Sequence, residues 1–379
     1  MKQGRTITDL ADELERQASA KRDFLAFAGE LAVRSNGRTE LLSPQGASHP
    51  VSDTAHAQIA EYLEIPKPFY DRLRGKAEEL FVRTPSSDGG ENDPALFDAV
   101  VNTLLSSKGA QRRLVRTLDG RARAFLSDTF NPDLDNWEVF RMAAVAIEHA
   151  GLSAENVVSS DVTESRLYLK VVSPRLSAEI SPENLRTPHG MLREPQIVQA
   201  GFVLSNSETG LGSLRINQMV FKLICSNGFV REEAFRQRHV GKALDPGDDG
   251  SVYRSDTRMA DARARLLKVR DHIQEALDES LFRELVGRMQ ETACIRLEGA
   301  ADKCVEATAR KFGLTQPEKD MVLTELIGGA DLSLWGLTNA VTAAAQRVDS
   351  YDRASEMEAI GGKFFSLTRP EIRELVSPS

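Results

Sequence analysis

Cysteine is scarce in this sequence, and its scarcity excludes two common kinds of small domain. The 379 residues include three cysteines, too few and too irregularly spaced for a disulfide framework or a zinc knuckle. The six histidines never stand at the spacing of paired metal ligands, so a histidine-rich metal site is not expected either. The three thiols are therefore interpreted as small buried hydrophobic groups.

Long apolar runs are also absent. No stretch of about 18 apolar residues exists, so no segment is expected to span a bilayer. The N-terminal sequence MKQGRTITDLADELERQ is acidic and helical in pattern, where a signal peptide would need an apolar stretch. We therefore expect a cytoplasmic protein that has no membrane partner.

Signatures of nucleotide binding and covalent catalysis are missing as well. There is no P-loop, and TGLGSL (209–214) lacks the third glycine of a dinucleotide fingerprint. No nucleophile elbow and no pairing of cysteine with histidine is present. The sequence thus indicates no cofactor, and it favours a protein without enzymatic activity over an enzyme.

Positive charge is concentrated in two short segments of an acidic chain whose net charge is −8. Residues 108–123 contain six basic residues and one acidic residue, and residues 201–242 contain six basic residues and three acidic ones. We call these segments the first and second basic islands. An anionic ligand would be attracted to them and repelled by the rest of the chain.

The order of sequence patterns predicts an α+β fold, with a central antiparallel sheet built from hairpins and helical regions at both ends. Residues 1–107 are predicted to be mostly helical, residues 108–242 to form a core module of sheet and helix, and residues 252–379 to be helical. The predicted central elements are a helix at Asp135–His149, strands at Ser165–Val172, Ile197–Ser205 and Ser213–Ser226, a turn at Asn227-Gly228, and an irregular segment at 173–196.

Two patterns describe the helical regions. The stretch SDTAHAQIAEYLEIPKPFYDRL (52–73) is typical of two helices joined by a turn. A DNA-reading second helix would have only Lys67, Arg72 and Arg74 available, so a structural helical hairpin is the favoured interpretation. Beyond residue 252, apolar residues recur every four positions from 273 to 289, which predicts an amphipathic helical face.

The first basic island contains a predicted hairpin. Asp119-Gly120 is a strong two-residue turn within RRLVRTLDGRARAFLSD (112–128). With a two-residue loop, Arg116 lies opposite Arg123 and Leu114 lies opposite Phe125. One face then carries Arg112, Arg116, Arg121, Arg123 and Phe125, and the core-facing side carries Val115, Ala122, Ala124 and Leu126.

Four arginines on one face need an anion, because like charges opposite each other destabilise a sheet by up to roughly 1 kcal/mol. The anion is either a phosphate backbone, with Phe125 as a stacking surface, or a set of carboxylates from this chain or a neighbouring subunit. The second basic island would extend the same surface if its strands join the same sheet. The candidate nucleic-acid-binding residues are Arg112, Arg113, Arg116, Arg121, Arg123, Phe125, Arg215, Lys222 and Arg231.

An aspartate-rich turn, SDTFNPDLDNW (127–137), follows the hairpin. Asp128, Asp133 and Asp135 can together hold Mg²⁺ or Mn²⁺, as in two-metal nucleases, and Glu208 can complete such a site. Aspartate also suits turns and helix caps, and Asp135 directly precedes a helix. Turn formation and capping are therefore the favoured interpretation.

Four segments carry a family pattern across roughly residues 50–350: SDTAHAQIAEYLEIPKPFYDRL, VRTLDGRARAFLSDTFNPDLDNWEV, FVLSNSETGLGSLRI with VFKLICSNGFV, and LWGLTNAVTAAAQRVDS. They resemble a domain-of-unknown-function family (number 932) of phage- and plasmid-borne proteins. The last segment departs from the family pattern at Gln346, Arg347 and Ser350. The resemblance implies a mobile-element setting, and analogy with ring-forming single-strand annealing proteins favours a homo-oligomer.

Three functions are consistent with these patterns. The first is a nucleic-acid-binding protein of a phage or plasmid, in particular a protein that binds or anneals single-stranded DNA during recombination. The second is a non-catalytic factor of a mobile element that engages a host or phage protein. The third, and the least favoured, is a metal-dependent nuclease.

Overall fold

A computed structural model describes residues 2–35, 37–83, 96–130, 134–180, 196–223, 227–230, 235–238 and 255–378, and its fold is α+β, as predicted. The helices are α1 (Ile7–Ala20), α2 (Asp53–Tyr62), α3 (Lys67–Arg83), α4 (Leu96–Ser107), α5 (Asn136–His149), α6 (Ser255–Ala276), α7 (Glu279–Cys294), α8 (Ala301–Phe312), α9 (Gln316–Gly329), α10 (Leu334–Ala344), α11 (Tyr351–Lys363) and α12 (Arg369–Val376). The strands are β1 (Arg22–Phe27), β2 (Ala32–Ser35), β3 (Thr39–Leu42), β4 (Ser48–Pro50), β5 (Arg112–Leu118), β6 (Arg121–Ser127), β7 (Val157–Val162), β8 (Leu167–Ile180), β9 (Gln196–Asn206), β10 (Leu214–Lys222), β11 (Asn227–Val230) and β12 (Phe235–Gln237).

The described strands form three antiparallel sheets. The largest has the order β11-β10-β9-β8-β7, and β12 also pairs with β10. A second sheet has the order β1-β5-β6, and a third has the order β2-β3-β4. The prediction of a mostly helical region at 1–107 therefore missed four strands. Each has only three to six residues, too short for a clear alternation of polar and apolar side chains.

The large sheet packs against helices from both ends of the chain. Its core includes Leu10 of α1, Val139 of α5, Phe202 of β9 and Ile273 of α6, all fully buried. The predicted helix at 135–149 is confirmed as α5, which joins this core through its apolar face. The second sheet has a separate core, formed with α2, α3 and α4.

Two predicted features of the central strands are wrong. β8 continues to Ile180, so residues 173–180 are strand rather than irregular, while residues 181–195 lie outside the described residues. Asn227-Gly228 opens β11, where the two residues pair with Lys222 and Phe221, and the connection from β10 precedes them. A turn dipeptide expresses only a local preference, which pairing with a neighbouring strand overrides here.

The C-terminal region consists of several helices rather than one long helix. The apolar positions from 273 to 289 are divided between two helices, with Leu277 in the turn between them, because α6 ends at Ala276 and Asp278 caps α7. The Asp278 carboxylate accepts from the backbone nitrogens of Ser280 and Leu281 at 2.9 and 3.0 Å. No helix in the described ranges is both long enough and apolar enough to cross a bilayer.

Candidate functional site

The hairpin turn of the first basic island is confirmed. Asp119 and Gly120 have φ angles of +51° and +78°, and a type I′ turn requires a positive φ at both of these positions. Leu118 pairs with Arg121 directly across the turn. The ring nitrogen Nδ1 of His49 lies 2.9 Å from the carbonyl oxygen of Gly120 and ties the turn to the third sheet.

A β-bulge changes which hairpin side chains share a face. The register shifts between Arg116 and Thr117, so Arg116 pairs with Ala124 and not with Arg123. The arginines at 116 and 123 still point the same way, since both reach one acidic residue described below. Phe125 turns to the opposite, core-facing side. The predicted position of Phe125 beside the arginines is therefore wrong, because one inserted residue reverses the alternation beyond it.

Arg116 is fully buried and is neutralised by two carboxylates. Its Nε and Nη2 donate to Asp23 at 3.0 and 2.6 Å, and its Nη1 donates to Asp135 at 2.7 Å. Nη1 also donates to the backbone carbonyl of Glu208 at 2.8 Å. Burial by itself would lower the pKa of Arg116, but the hydrogen bond to Asp23 and the charges of Asp135, Asp23 and Glu208 raise it above its ordinary value.

Arg123 is held in the same way and is only 6% exposed. Its Nη1 donates to Glu208 Oε1 at 2.7 Å and to Gln17 Oε1 at 3.1 Å. Its other two nitrogens donate to the backbone carbonyls of Thr163 and Glu164 at 3.2 to 3.3 Å. The N–H groups of this guanidinium are therefore already hydrogen-bonded to acceptors of the protein itself.

A third cation, Lys21, completes this cluster. Its ammonium pairs with Asp135 and lies 3.6 Å from Glu208 Oε2. Glu208 Oε2 also accepts from the backbone nitrogen of Asn136 at 3.1 Å, at the start of α5. We call the following residues the buried charge cluster: Lys21, Asp23, Arg116, Arg123, Asp135 and Glu208.

The pKa values of the two most buried carboxyl groups reflect this pairing. Burial by itself would raise the pKa of Glu208, but the charges of Lys21, Arg123 and Arg116 hold it below its ordinary value. Burial raises the pKa of Asp135 despite the opposing charges of Arg116 and Lys21. The cluster has three cations and three carboxyl groups, so its charges compensate one another where water is largely excluded.

The buried charge cluster joins the second sheet to the large sheet. Its residues come from the end of α1, from β1, from the β5–β6 hairpin, from the start of α5 and from the loop after β9. The sequence allowed either a phosphate backbone or protein carboxylates as the anion that meets Arg116 and Arg123. In the structure the anions are carboxylates of this chain. Because Arg116 and Arg123 are buried, neither guanidinium group is accessible to nucleic acid.

Arg113 also faces the core rather than solvent. Its guanidinium carbon lies 4.5 Å from the ring centre of Tyr62 and 4.9 Å from that of Phe125. Burial lowers the pKa of Arg113. Phe125 is only 1% exposed, so it presents no surface on which a base could stack.

The two remaining hairpin arginines lie near the ends of the strands. Arg112 Nε is 3.7 Å from Asp128, and Arg121 Nη1 donates to Glu164 at 3.2 Å. Arg121 is exposed next to the turn. It therefore remains accessible to a ligand, unlike Arg116.

The second basic island lies in a different sheet from the first. β10 carries Arg215 and Lys222 and belongs to the large sheet, whereas the hairpin pairs with β1. Lys222 is buried and donates to Asn339 at 3.0 Å, and Arg215 donates to Ser213 at 3.3 Å. Arg231 lies outside the described residues. The condition for one continuous basic surface is therefore not met, because the strands of the two islands belong to different sheets.

The aspartate-rich turn supplies counter-ions for arginines. Asp128 lies beside Arg112, and Asp135 belongs to the buried charge cluster together with Glu208, while Asp133 lies outside the described residues. Asp135 occupies the N-cap position of α5, but its carboxylate makes no capping bond. In the part of the chain that the structure describes, no three histidine, cysteine or acidic residues are grouped as metal ligands.

The helical hairpin α2–α3 has a structural role in the second sheet. Gln58 of α2 accepts from the backbone nitrogen of Phe125 at 2.8 Å. Of the basic residues on α3, Lys67 pairs with Asp71 within the helix, and Arg74 pairs with Asp53 at 3.2 Å. These contacts agree with the structural interpretation of the segment.

A basic groove between α8 and α12 was not predicted from the sequence. Its volume is about 910 Å³. The cationic side chains that line it are Lys303, Arg310, Lys311, Arg369 and Arg373, and the carboxylates that line it are Glu306 and Glu374. α12 is fixed against α8 by its buried residues Leu375 and Val376, and the thiol of Cys304 donates to the carbonyl of Val376 at 3.6 Å.

Among the described residues, three of the five cations in the basic groove have no carboxylate at ion-pair distance. Lys311 pairs with Glu371 at 2.9 Å, and Arg310 lies 3.7 Å from Glu306. Across the described ranges, no ion pair involves the other three, which are Lys303, Arg369 and Arg373. All three are exposed. The basic groove therefore presents positive charge with which no described carboxylate forms an ion pair.

A helical spacing could have revealed the basic groove. Lys303, Arg310 and Lys311 stand at positions i, i+7 and i+8, which share one helix face, and Arg369 and Arg373 stand at i and i+4. The net charge of the whole segment did not reveal these basic residues, because acidic residues surround them in the sequence.

The chain matches no protein-family model, no curated protein and no solved structure. The family resemblance of the four segments therefore rests on their residues alone.

Proposed function

We propose that the protein binds nucleic acid in the basic groove between α8 and α12, through the phosphate backbone and without reading base sequence. The observation that carries this proposal is a set of three exposed cations around one groove of about 910 Å³, none of which forms an ion pair with a described residue. Phosphate contacts by lysine and arginine supply most of the affinity of such binding. Guanidinium groups suit phosphate because their parallel N–H groups match two phosphate oxygens.

Two electrostatic features support the basic groove as the binding surface. The chain carries a net charge of −8, so a polyanion is repelled by most of the surface and attracted to a local excess of positive charge. Arg369 is the first residue of α12, where the positive end of the helix dipole adds to its own charge. Both features favour an anion at this end of the molecule.

Single-stranded DNA is the form that we propose. Ala307 and Pro370 provide apolar surface in the same groove, and unpaired bases can contact it whereas a duplex keeps its bases stacked inside. In this proposal the protein acts in the cytoplasm as a homo-oligomer that binds or anneals single strands of a phage or plasmid. The family resemblance supports the mobile-element setting.

Fluorescence anisotropy with a labelled single-stranded oligonucleotide at low salt tests the proposal. The chain should bind, and combining Lys303→Gln, Arg369→Gln and Arg373→Gln should weaken binding at least tenfold, or about 1.4 kcal/mol. The triple variant should keep its unfolding temperature, because the three side chains make no ion pair within the described residues. A duplex of the same sequence, measured in parallel, shows whether single strands are preferred.

A charge-matched triple variant provides the control. Arg141→Gln, Arg283→Gln and Arg288→Gln remove the same charge from exposed helical ion pairs away from the groove. Binding should change less than twofold, on the order of 0.4 kcal/mol. Equal weakening by both triple variants, or no binding by the unmodified chain at micromolar concentration, would contradict the proposal. The second result would favour a protein partner instead.

A further inference from the structure

A second cavity, of about 590 Å³, lies beside the Asp119-Gly120 turn. Its walls come from the turn itself, from β3 and β4, and from helices α2 and α3. Small-molecule sites have volumes of roughly 300 to 1,000 Å³, so this cavity has the size of a ligand site. We call it the turn pocket.

Arginine side chains give the turn pocket its chemical character. The guanidinium groups that line it are those of Arg38, Arg74 and Arg121. Two carboxylates also line it, and both are engaged. Glu78 accepts from the backbone nitrogen and the hydroxyl of Thr39 at 3.1 and 2.8 Å. Asp119 accepts from Arg16 at 3.0 and 3.1 Å.

The present ion-pair partners of two of these arginines are exposed. Arg74 pairs with Asp53, whose side chain is 84% exposed, and Arg121 pairs with Glu164, whose side chain is 65% exposed. Arg74 also lies 3.8 Å from Asp71, and Arg38 pairs with Glu40 at 3.0 Å. Exposed pairs are weak because water screens them and because both side chains lose freedom. The Arg121 guanidinium can therefore turn to a stronger acceptor at little cost, whereas Arg74, whose side chain is 22% exposed, is held more firmly.

Arg74 also carries one donor that its present contacts do not satisfy. Nε of Arg74 is buried, and no hydrogen-bond acceptor for it occurs in the described part of the chain. A buried N–H group that lacks an acceptor is costly and is uncommon in native proteins. Because Nε has almost no accessible surface, an anion in the turn pocket would contact the Nη groups of Arg74, which pair at present with acidic residues of the chain.

His56 adds a polar group without adding charge. It lines the pocket, and its Nδ1 lies 2.9 Å from the hydroxyl of Tyr70. Burial, and then the charge of Arg74, lowers the pKa of His56 from 6.5 to about 3. The imidazole is therefore neutral at physiological pH and can form a further hydrogen bond in the pocket.

We propose that the turn pocket binds the phosphate group of a small molecule, with Arg74 and Arg121 as its principal contacts and Arg38 as an additional one. A phosphate has enough oxygens to serve three guanidinium groups, whereas a carboxylate has only two. The turn pocket is built from residues of the N-terminal half and the basic groove from residues beyond 300. The proposal therefore does not depend on the proposed binding of nucleic acid.

Isothermal titration calorimetry on the full chain, with inorganic phosphate and ATP as separate probes, tests this proposal. At least one probe should bind saturably, and Arg121→Gln should weaken it at least tenfold, or about 1.4 kcal/mol. Arg121 is exposed, so this variant should fold normally. Arg74→Gln should weaken the same probe, with thermal unfolding as a check of its fold. Arg141→Gln, which removes an exposed arginine paired with Glu138, should have no effect.

The two probes and the groove variants separate the possible outcomes. Equal binding of phosphate and ATP supports a site for the phosphate group alone, and tighter binding of ATP supports a site for a larger phosphorylated molecule. No binding of either probe at millimolar concentration would overturn the proposal. The proposal would also be overturned if the probe still bound both the Arg74 and the Arg121 variants but no longer bound the triple variant of the basic groove. That result would place the phosphate in the basic groove and would not contradict the proposed binding of nucleic acid there.

Discussion

Glu208 contacts all three cations of the buried charge cluster, two through its carboxylate and one through its backbone carbonyl. Arg123 donates to Oε1 at 2.7 Å, Lys21 lies 3.6 Å from Oε2, and Arg116 donates to the carbonyl oxygen at 2.8 Å. The residue is only 3% exposed. Water therefore cannot replace its charge if the carboxylate is removed.

Glu208→Gln should lower the free energy of unfolding by about 3 kcal/mol, because it leaves Arg123 buried without its carboxylate partner. Urea unfolding at neutral pH, followed by circular dichroism, measures the change. The control is Glu164→Gln, which removes an exposed carboxylate paired with Arg121 and should cost less than about 1 kcal/mol. Equal costs for the two variants would show that the buried pair contributes no more than the exposed one.

The sequence singled out two cations and two carboxyl residues of this cluster but did not predict that they pair with one another. Arg116 and Arg123 could be found because their spacing and the turn between them are local features. Arg116 and Asp23 are 93 residues apart, and Arg123 and Glu208 are 85 residues apart. Lys21 and Asp23 had no local pattern to single them out. Tertiary packing decides which carboxylate pairs with a buried arginine, and counting charges along the sequence gives no information about that packing.

At the scale of elements, the β5–β6 hairpin has one feature that the local sequence predicts, its turn, and one that it does not predict, its bulge. The turn was predictable because Asp-Gly readily adopts the two positive φ angles that a tight hairpin requires. The bulge was not predictable, because the stretch RARAF fits a regular alternation as well as an interrupted one. Its consequence extends beyond one pair, since it directs Phe125 to the core formed with α2.

Phe125→Ala distinguishes the predicted register from the observed one. In the structure Phe125 is buried, and its ring centre lies 5.4 Å from that of Tyr62, so the change should cost about 3 to 5 kcal/mol of unfolding free energy. In the predicted register the ring would be exposed and the cost small. Thermal or urea unfolding measures the difference.

The control for this change is Phe69→Ala, on the exposed face of α3. Phe69 is 51% exposed, so its truncation should cost less than about 1 kcal/mol. A cost for Phe125→Ala as small as that for Phe69→Ala would contradict the observed register and support simple alternation.

At the scale of the whole molecule, exposed positive charge lies elsewhere than the sequence suggested. The first basic island contributes two arginines to the buried charge cluster and a third to an aromatic environment, so little of its charge reaches the surface. Residues 243–379 contain 18 basic and 24 acidic residues, yet five of those cations line the basic groove. Segment totals therefore could not locate the binding surface, because folding separates charges that are neighbours in the sequence.

This arrangement makes the salt dependence of DNA binding a quantitative test. Each phosphate contact to a single strand contributes about −0.7 to the slope of log K against log salt concentration. Three to five contacts in the basic groove should therefore give a slope of roughly −2 to −3.5. Removing Lys303, Arg369 and Arg373 should reduce its magnitude by about 2, whereas the charge-matched triple variant at 141, 283 and 288 should leave it unchanged. A slope that falls instead with Arg112→Gln and Arg121→Gln, and is unaffected by the groove variants, would place the DNA on the hairpin.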